Sequence, residues 1–231
     1  MRINKYLAHK GIATRRAADE FIKSGEVKIN GKMAVLGDKV LENDKVTVGK
    51  KIQDTKDLIY LAYNKPQGII THSPQGKEKS IEDVIGFLQK VFPVGRLDKD
   101  SHGLIILTND GRITDKLLNP DYQHEKEYIV KVDRSISPSF IEHLENGVLL
   151  GDGYKTKKCQ VHKIDNFSFS MILTEGKKRQ IRRMCEKLDH HVIDLRRVRI
   201  MNIKIGDLTA GKYRKIEGIE LKKFLQIIGM Q

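Results

Sequence analysis

The chain has 231 residues, 39% of them hydrophobic, enough for one ordinary domain and a small second one with real cores, which excludes wholesale disorder. Lysine and arginine number 43 against 30 acidic residues, a formal net charge of +13, and such an excess points to a polyanionic partner; charge by itself leaves nucleic acid and an anionic membrane surface both open. No apolar run approaches the roughly 18 to 20 residues of a spanning helix, and the charged, amphipathic start MRINKYLAHKG does not read as a signal sequence. A protein that stays in the cytoplasm is expected, and the cysteines agree. Cys159 and Cys185 lie far apart with no CxxC pair, against a disulfide framework or a structural zinc site.

The first fifty residues read as a unit. Ile3, Tyr6 and Leu7 fall at helical spacing with Gly11 as a stop, and Ala17, Ala18, Phe21 and Ile22 repeat the pattern until Gly25. VKINGKMAV follows, where Asn30-Gly31 between two short β-type runs signals a tight hairpin, and KVTV adds a strand. These observations predict a small module over 1–49, a linker over 50–57 in the aperiodic stretch KKIQDTKD, and a larger domain over 58–231. In the larger part LIYLAY and GLIILT read as buried strands, while EYIVKVD alternates Tyr128, Val130 and Val132 on one face. Helical patterns are carried by Ile113, Leu117 and Leu118; by Pro138 ahead of Phe140, Ile141 and Leu144; by Ile181, Met184, Cys185 and Leu188; and by Leu221, Phe224, Leu225 and Ile228. Regular βαβ alternation is missing, so the expected class is α+β with a mixed, largely antiparallel sheet.

No GxxxxGK[ST], GxGxxG after a strand, HExxH or GxSxG is present, which leaves nucleotide hydrolysis and the common hydrolase and metalloprotease mechanisms without an anchor. His190-His191 is the one adjacent histidine pair; read as neighbours on a strand they point to opposite faces and do not share a metal. The densest cluster of reactive types is PVGRLDKDSHGLIILTNDG, residues 93–111, where Arg96, Asp98, Lys99, Asp100, Ser101 and His102 occupy a loop entering a strand. Spacing alone is compatible with a solvated turn or with reactive side chains held by a sheet. Arg179, Arg182, Arg183 and Glu186 occupy i, i+3, i+4 and i+7 of a helix beside its apolar stripe, a basic ridge to which Arg196, Arg197 and Arg199 are close. Such a ridge is either a solvated face or a phosphate-contacting one.

NKPQGIIT (64–71), VGRLDKDSHGLIILTNDG (94–111), HEKEYIV (124–130) and EGKKRQIRRM (175–184) resemble, in the same order, the motifs of bacterial RNA pseudouridine synthases of the RsuA/RluB/RluE/RluF branch. The first fifty residues resemble the small S-four (alpha-L) RNA-binding module found at the front of many of these enzymes. KKCQV, KRQIRRMCEKL and RVRIMNI bring the chain nearest the F-type large-subunit members. The resemblance implies isomerisation of a uridine already in RNA: the N1 to C1′ bond breaks, the uracil turns in the pocket, and C5 bonds to C1′, with no cofactor and no metal. Asp98 of GRLD would act at C1′, by attacking it or by removing a ribose proton to form a glycal. By the same resemblance Arg182 would pair with the aspartate, Arg96 would help hold the RNA, and Tyr128 would lie against the uracil ring. Lys65 and Pro66 match the first motif and read as structural support.

A base inside a stem must be extruded, at a cost of a few kcal/mol that RNA contacts offset. Lys5, Arg15, Arg16, Lys28 and Lys32 place cations across the module's two helices and hairpin, and Arg179 and Arg183 add to them. The implied partner is large-subunit rRNA near the peptidyl-transferase centre or its assembly intermediate, with another site in small-subunit rRNA or a tRNA as the other candidate and no membrane; a monomer is expected because so basic a surface repels a copy of itself. An RNA-binding assembly factor with an inert pocket and a uracil-excising glycosylase are the competing readings.

Overall fold

The computed structural model describes the chain apart from residues 11, 14, 50–57, 88, 90 and 231 and the side chains of residues 9, 16 and 120. The expected stop at Gly11 and the linker over 50–57 lie outside the described residues. Ile3 and Leu7 form the inner face of α1 (Ile3–His9), and Ala18 and Ile22 that of α2 (Arg15–Lys23). The hairpin of β1 (Val27–Ile29) and β2 (Lys32–Met33) turns on Asn30 and Gly31, with φ of 51° and 82°, the left-handed pair a type I′ turn needs. β3 (Val46–Val48) pairs with the other edge of β1, and Ile3, Leu7, Ala18, Ile22, Val27, Ala34 and Val40 close a cluster of their own.

The larger sheet has nine strands: β4 (Tyr60–Lys65), β5 (Phe92–Val94), β6 (His102–Thr108), β7 (Lys126–Val132), β8 (Gln160–Lys163), β9 (Ser168–Leu173), β10 (Val192–Ile200), β11 (Ile203–Lys204) and β12 (Tyr213–Lys215). Its main path runs β12-β4-β6-β10-β7-β9-β8, and of the pairings between these strands only β6 with β10 is parallel. β4 and β6 are near-continuous apolar runs because both faces are covered. Leu61, Tyr63, Ile105 and Leu107 pack on one side under α5 (Pro138–Glu145) and α6 (Gln180–Lys187); Tyr60, Ala62, Leu104 and Ile106 pack on the other under α4 (Arg112–Leu118) and α7 (Gly218–Ile227). Pro138 opens α5 as expected, and the Ser137 hydroxyl caps it by accepting the Phe140 amide at 3.1 Å.

β6 gives the sheet its functional irregularity. One edge pairs with β4 along its length, while the other is divided between β10 at Gly103 and β5 over Ile106 to Thr108. The loop 95–101 leaves β5 and enters β6 at that division. Two sequence expectations need correction. α6 starts at Gln180, because Arg179 takes a left-handed conformation with φ of 50° and is its N-terminal boundary, so the helix begins one residue later than the ridge pattern suggested. His190 and His191 sit in the connection from α6 to β10 and not on a strand: the His190 ring lies 4.1 Å from that of Phe140, and the His191 amide donates to Asp133.

Candidate active site

Strand register places Lys65 opposite Gly103, Gly103 opposite Arg197, Arg197 opposite Tyr128, and Tyr128 opposite Met171. Residues directly opposed in a sheet point to the same face, so these five form one row across β4, β6, β10, β7 and β9 on the α5/α6 side. Gly103 is required within it. Its φ is 103°, and a Cβ there would stand 2.8 Å from the Arg197 amide nitrogen and closer still to its carbonyl oxygen. The absence of a side chain lets the two strands approach, which places Lys65 and Arg197 on either side of Gly103.

Both cations are buried. The Lys65 ammonium donates to the carbonyls of Pro66 at 3.0 Å and Ile69 at 2.6 Å, and burial pushes its pKa down to about 8; the negative charge of Asp98 opposes that shift and Arg197 adds to it. Arg197 is 4% exposed, donates through Nε to Leu104 O at 2.7 Å and through Nη1 to Arg96 O at 3.4 Å, and its Nη2 has no hydrogen-bond partner. Lys126, at the start of β7, is bonded to His124 O, and burial followed by the charge of Arg197 lowers its pKa to about 8. Arg197 therefore belongs to the floor and not to a solvent-facing ridge. Arg199 also departs from that ridge, since Glu125 and Glu127 hold it at 2.9 and 2.7 Å.

The loop 95–101 is fixed over this floor. The Thr71 hydroxyl donates to Leu97 O at 2.7 Å and accepts the Leu97 amide at 3.0 Å, while the Gly68 amide donates to Lys99 O at 2.9 Å. These bonds come from the NKPQGIIT segment, which accounts for its place beside the loop. Asp98 is half-buried, and among the described residues its carboxylate has no hydrogen-bond or ion-pair partner. A carboxylate held by its backbone, above buried cations and with free oxygens, is set up to act on an electrophilic carbon. Tyr128 is 9% exposed, in the floor row next to Arg197.

Arg182 reaches the same loop by a different route from the one the resemblance implied. Its guanidinium donates to Val192 O at 2.9 Å and to Asp100 O at 3.0 Å, so it braces the loop backbone and does not bond the Asp98 carboxylate. Arg179 meets the Asp100 carboxylate at 3.4 Å, and Arg183 is paired with Asp152 at 2.7 Å. His102 and Gln67 both bond Asp194 at the rim, at 2.9 and 3.1 Å. Arg96 is exposed, as are Lys5, Arg15, Lys28 and Lys32 on α1, α2, β1 and β2; the side chain of Arg16 lies outside the described residues. Among the described residues no cluster of His, Cys, Asp and Glu could hold a metal, and no helix is long and apolar enough to cross a membrane.

The chain matches the family model described as RNA pseudouridylate synthase over residues 59–187 and the S4 domain model over residues 1–46. It is 43% identical to the dual-specificity RNA pseudouridine synthase RluF of Salmonella typhi, over 98% of this chain and 79% of that protein. It is 36% identical to the ribosomal large subunit pseudouridine synthase B of Bacillus subtilis (strain 168), over 96% of this chain and 94% of that protein. A solved crystal structure of a pseudouridylate synthase aligns with a TM-score of 0.71 at 25% identity, covering 99% of each chain.

Proposed function

The chain belongs to the RNA pseudouridylate synthase family and carries an S4 domain at its front, and from that premise we propose that it isomerises a uridine of large-subunit rRNA near the peptidyl-transferase centre, with Asp98 as the nucleophile. The observation that carries the assignment is the free Asp98 carboxylate on a loop anchored above Lys65, Arg197 and Tyr128. As the N1 to C1′ bond opens, its electron pair leaves with the uracil and positive character grows at C1′, where an Asp98 oxygen bonds. The detached uracil turns against Tyr128, and its C5 displaces the carboxylate from C1′. The C5 proton is then lost and N1 is protonated, so the product is an isomer and nothing is consumed. The alternative of a glycal uses the same carboxylate to remove a ribose proton. Arg182 positions the loop by holding Asp100 O, and Arg96 faces the RNA.

Residues 1–49 form the RNA-holding unit in this reading, with Lys5, Arg15, Arg16, Lys28 and Lys32 on phosphates, and residues 58–231 form the catalytic one. The enzyme acts in the cytoplasm as a monomer, since a surface this basic repels a second copy. The names of the relatives support large-subunit rRNA as the main substrate and a second RNA, such as a tRNA, as an additional one.

The deciding experiment maps pseudouridine in total rRNA and tRNA, by carbodiimide-adduct primer extension, in cells lacking this protein and in cells complemented with wild type or Asp98→Asn. One large-subunit position lost and restored only by wild type is the expected result. Restoration by Asp98→Asn would remove Asp98 from its role, and no lost position despite tight RNA binding would favour an assembly factor.

A further inference from the structure

A buried carboxylate ties two lysine-bearing loops together beside the catalytic loop. Glu175, two residues beyond β9, is 4% exposed. Its Oε2 accepts the Tyr154 hydroxyl, and its Oε1 accepts the Lys157 amide at 3.0 Å and the Gln180 side-chain amide at 2.6 Å. The Gln180 carbonyl in turn accepts the Lys177 amide at 2.9 Å, and the Lys177 ammonium stands 4.5 Å from the centre of the Tyr154 ring. Arg183 and Asp152 add an ion pair across the same seam. A carboxylate with three donors tolerates burial; removing any donor leaves part of it unsatisfied. The loop 151–158 is thereby held at fixed spacing from the loop that leads into α6.

The outer side of this latch is strongly cationic, its one exposed acid, Asp152, being held by Arg183. Lys155, Lys157 and Lys158 project from one loop and Lys177 and Lys178 from the other; all five are exposed, and among the described residues none has an ion-pair partner. Five exposed ammonium groups on two tied loops, with Asp152 already taken by Arg183 and Glu175 buried, repel one another, and a polyanion relieves that repulsion. The second loop continues into Arg179, which reaches Asp100, two residues from Asp98. The basic rim therefore borders the reaction site.

We infer that these two loops form a phosphate-binding rim that grips the RNA strand leaving the catalytic pocket, and that the Glu175–Tyr154 latch sets the rim's spacing. This rests on the pseudouridine synthase reading only in taking RNA as the polyanion. The rim is separate from the cations of residues 1–49 and adds its own contacts to the salt dependence of binding.

The test is filter binding of oligouridylate to the full chain across a salt series, with pseudouridine formation by wild type on bulk rRNA scored in parallel. A single-stranded contact contributes about 0.7 to the slope of log K against log salt, so Lys155→Gln/Lys157→Gln/Lys158→Gln lowers the slope by about 2 and weakens binding about 100-fold at 0.1 M salt. Lys177→Gln/Lys178→Gln lowers it by about 1.4 and weakens binding about 25-fold, and decides the matter if the triple variant does not fold. Lys222→Gln/Lys223→Gln, on α7, leaves the slope as in wild type. Tyr154→Phe removes no charge yet weakens binding about fivefold, the cost of re-ordering one freed loop residue. Slopes for both loop variants equal to that of the α7 control would overturn the rim, and Tyr154→Phe binding like wild type would overturn the latch. Reduced slopes with no pseudouridine from wild type would uphold the rim and overturn the catalytic reading alone.

Discussion

Replacing Lys65 by methionine tests the buried cation floor through its pH dependence. An ammonium whose pKa falls from 10.5 to about 8 on folding destabilises the native state by about 3 kcal/mol at pH 7 and by about 1.4 kcal/mol at pH 9.5. The sign follows from proton counts: between the two pKa values the unfolded chain keeps a proton that the native state has lost, so stability rises with pH across that window. Lys65→Met removes the titration and leaves Lys126 in place, so wild type should gain about 2 kcal/mol on the variant from pH 7 to 9.5. Absolute stability at one pH is a poorer measure, because methionine also deprives the carbonyls of Pro66 and Ile69 of their donor, at about 1–3 kcal/mol each. Urea unfolding of both proteins at the two pH values gives the difference directly. Parallel behaviour, with the gap unchanged within about 0.5 kcal/mol, would show that Lys65 is not held desolvated in the native state. Asp98→Asn should shift the wild-type rise to lower pH, since it removes the carboxylate that opposes the depression.

Gly103→Ala should cost about 3 kcal/mol or more in urea unfolding, because the left-handed φ and the Arg197 backbone leave no room for a Cβ. Leu144→Ala, under the α5 side of the core, should lose about 2–5 kcal/mol by the same assay. Tyr60→Phe removes the hydroxyl that Asp110 accepts, and a loss of about 1.5–3 kcal/mol in thermal or urea unfolding is expected for a bond to a charged group. Arg15→Glu/Arg16→Glu should weaken RNA binding and flatten the salt slope by about 1.4, measured by filter binding; an unchanged slope would remove those residues from the footprint.

The larger elements were legible because their periods are strong. α5, α7, the Asn30-Gly31 hairpin and the buried runs of β4 and β6 follow from local pattern. β8, β11 and β12 are short or polar on alternate positions and carry little local signal, so they form only because a neighbouring strand supplies the partner. Asp98 stood out through the density of charged types around it. Arg197 did not, since LRRVRI reads as a basic stretch and its inward position is set by register with Gly103 and Tyr128, partners distant in sequence. The same holds for Lys65, whose burial depends on loop residues folding over its ammonium. For Arg182, which atom of the loop it bonds is decided by the path of the backbone at Asp100, which the sequence pattern does not carry.

The parallel pairing of β6 with β10 has a kinetic consequence. Antiparallel neighbours such as β8 and β9 close through short connections, whereas the Arg197 to Leu104 bond joins residues 93 apart and must meet its loop-closure entropy before any contact rewards it. That pairing also completes the floor. Under the proposed mechanism, a nascent chain that has not yet added β10 holds Asp98 and Tyr128 but lacks Arg197 in the row beside Tyr128, so turnover is expected only once the β6–β10 pairing has formed.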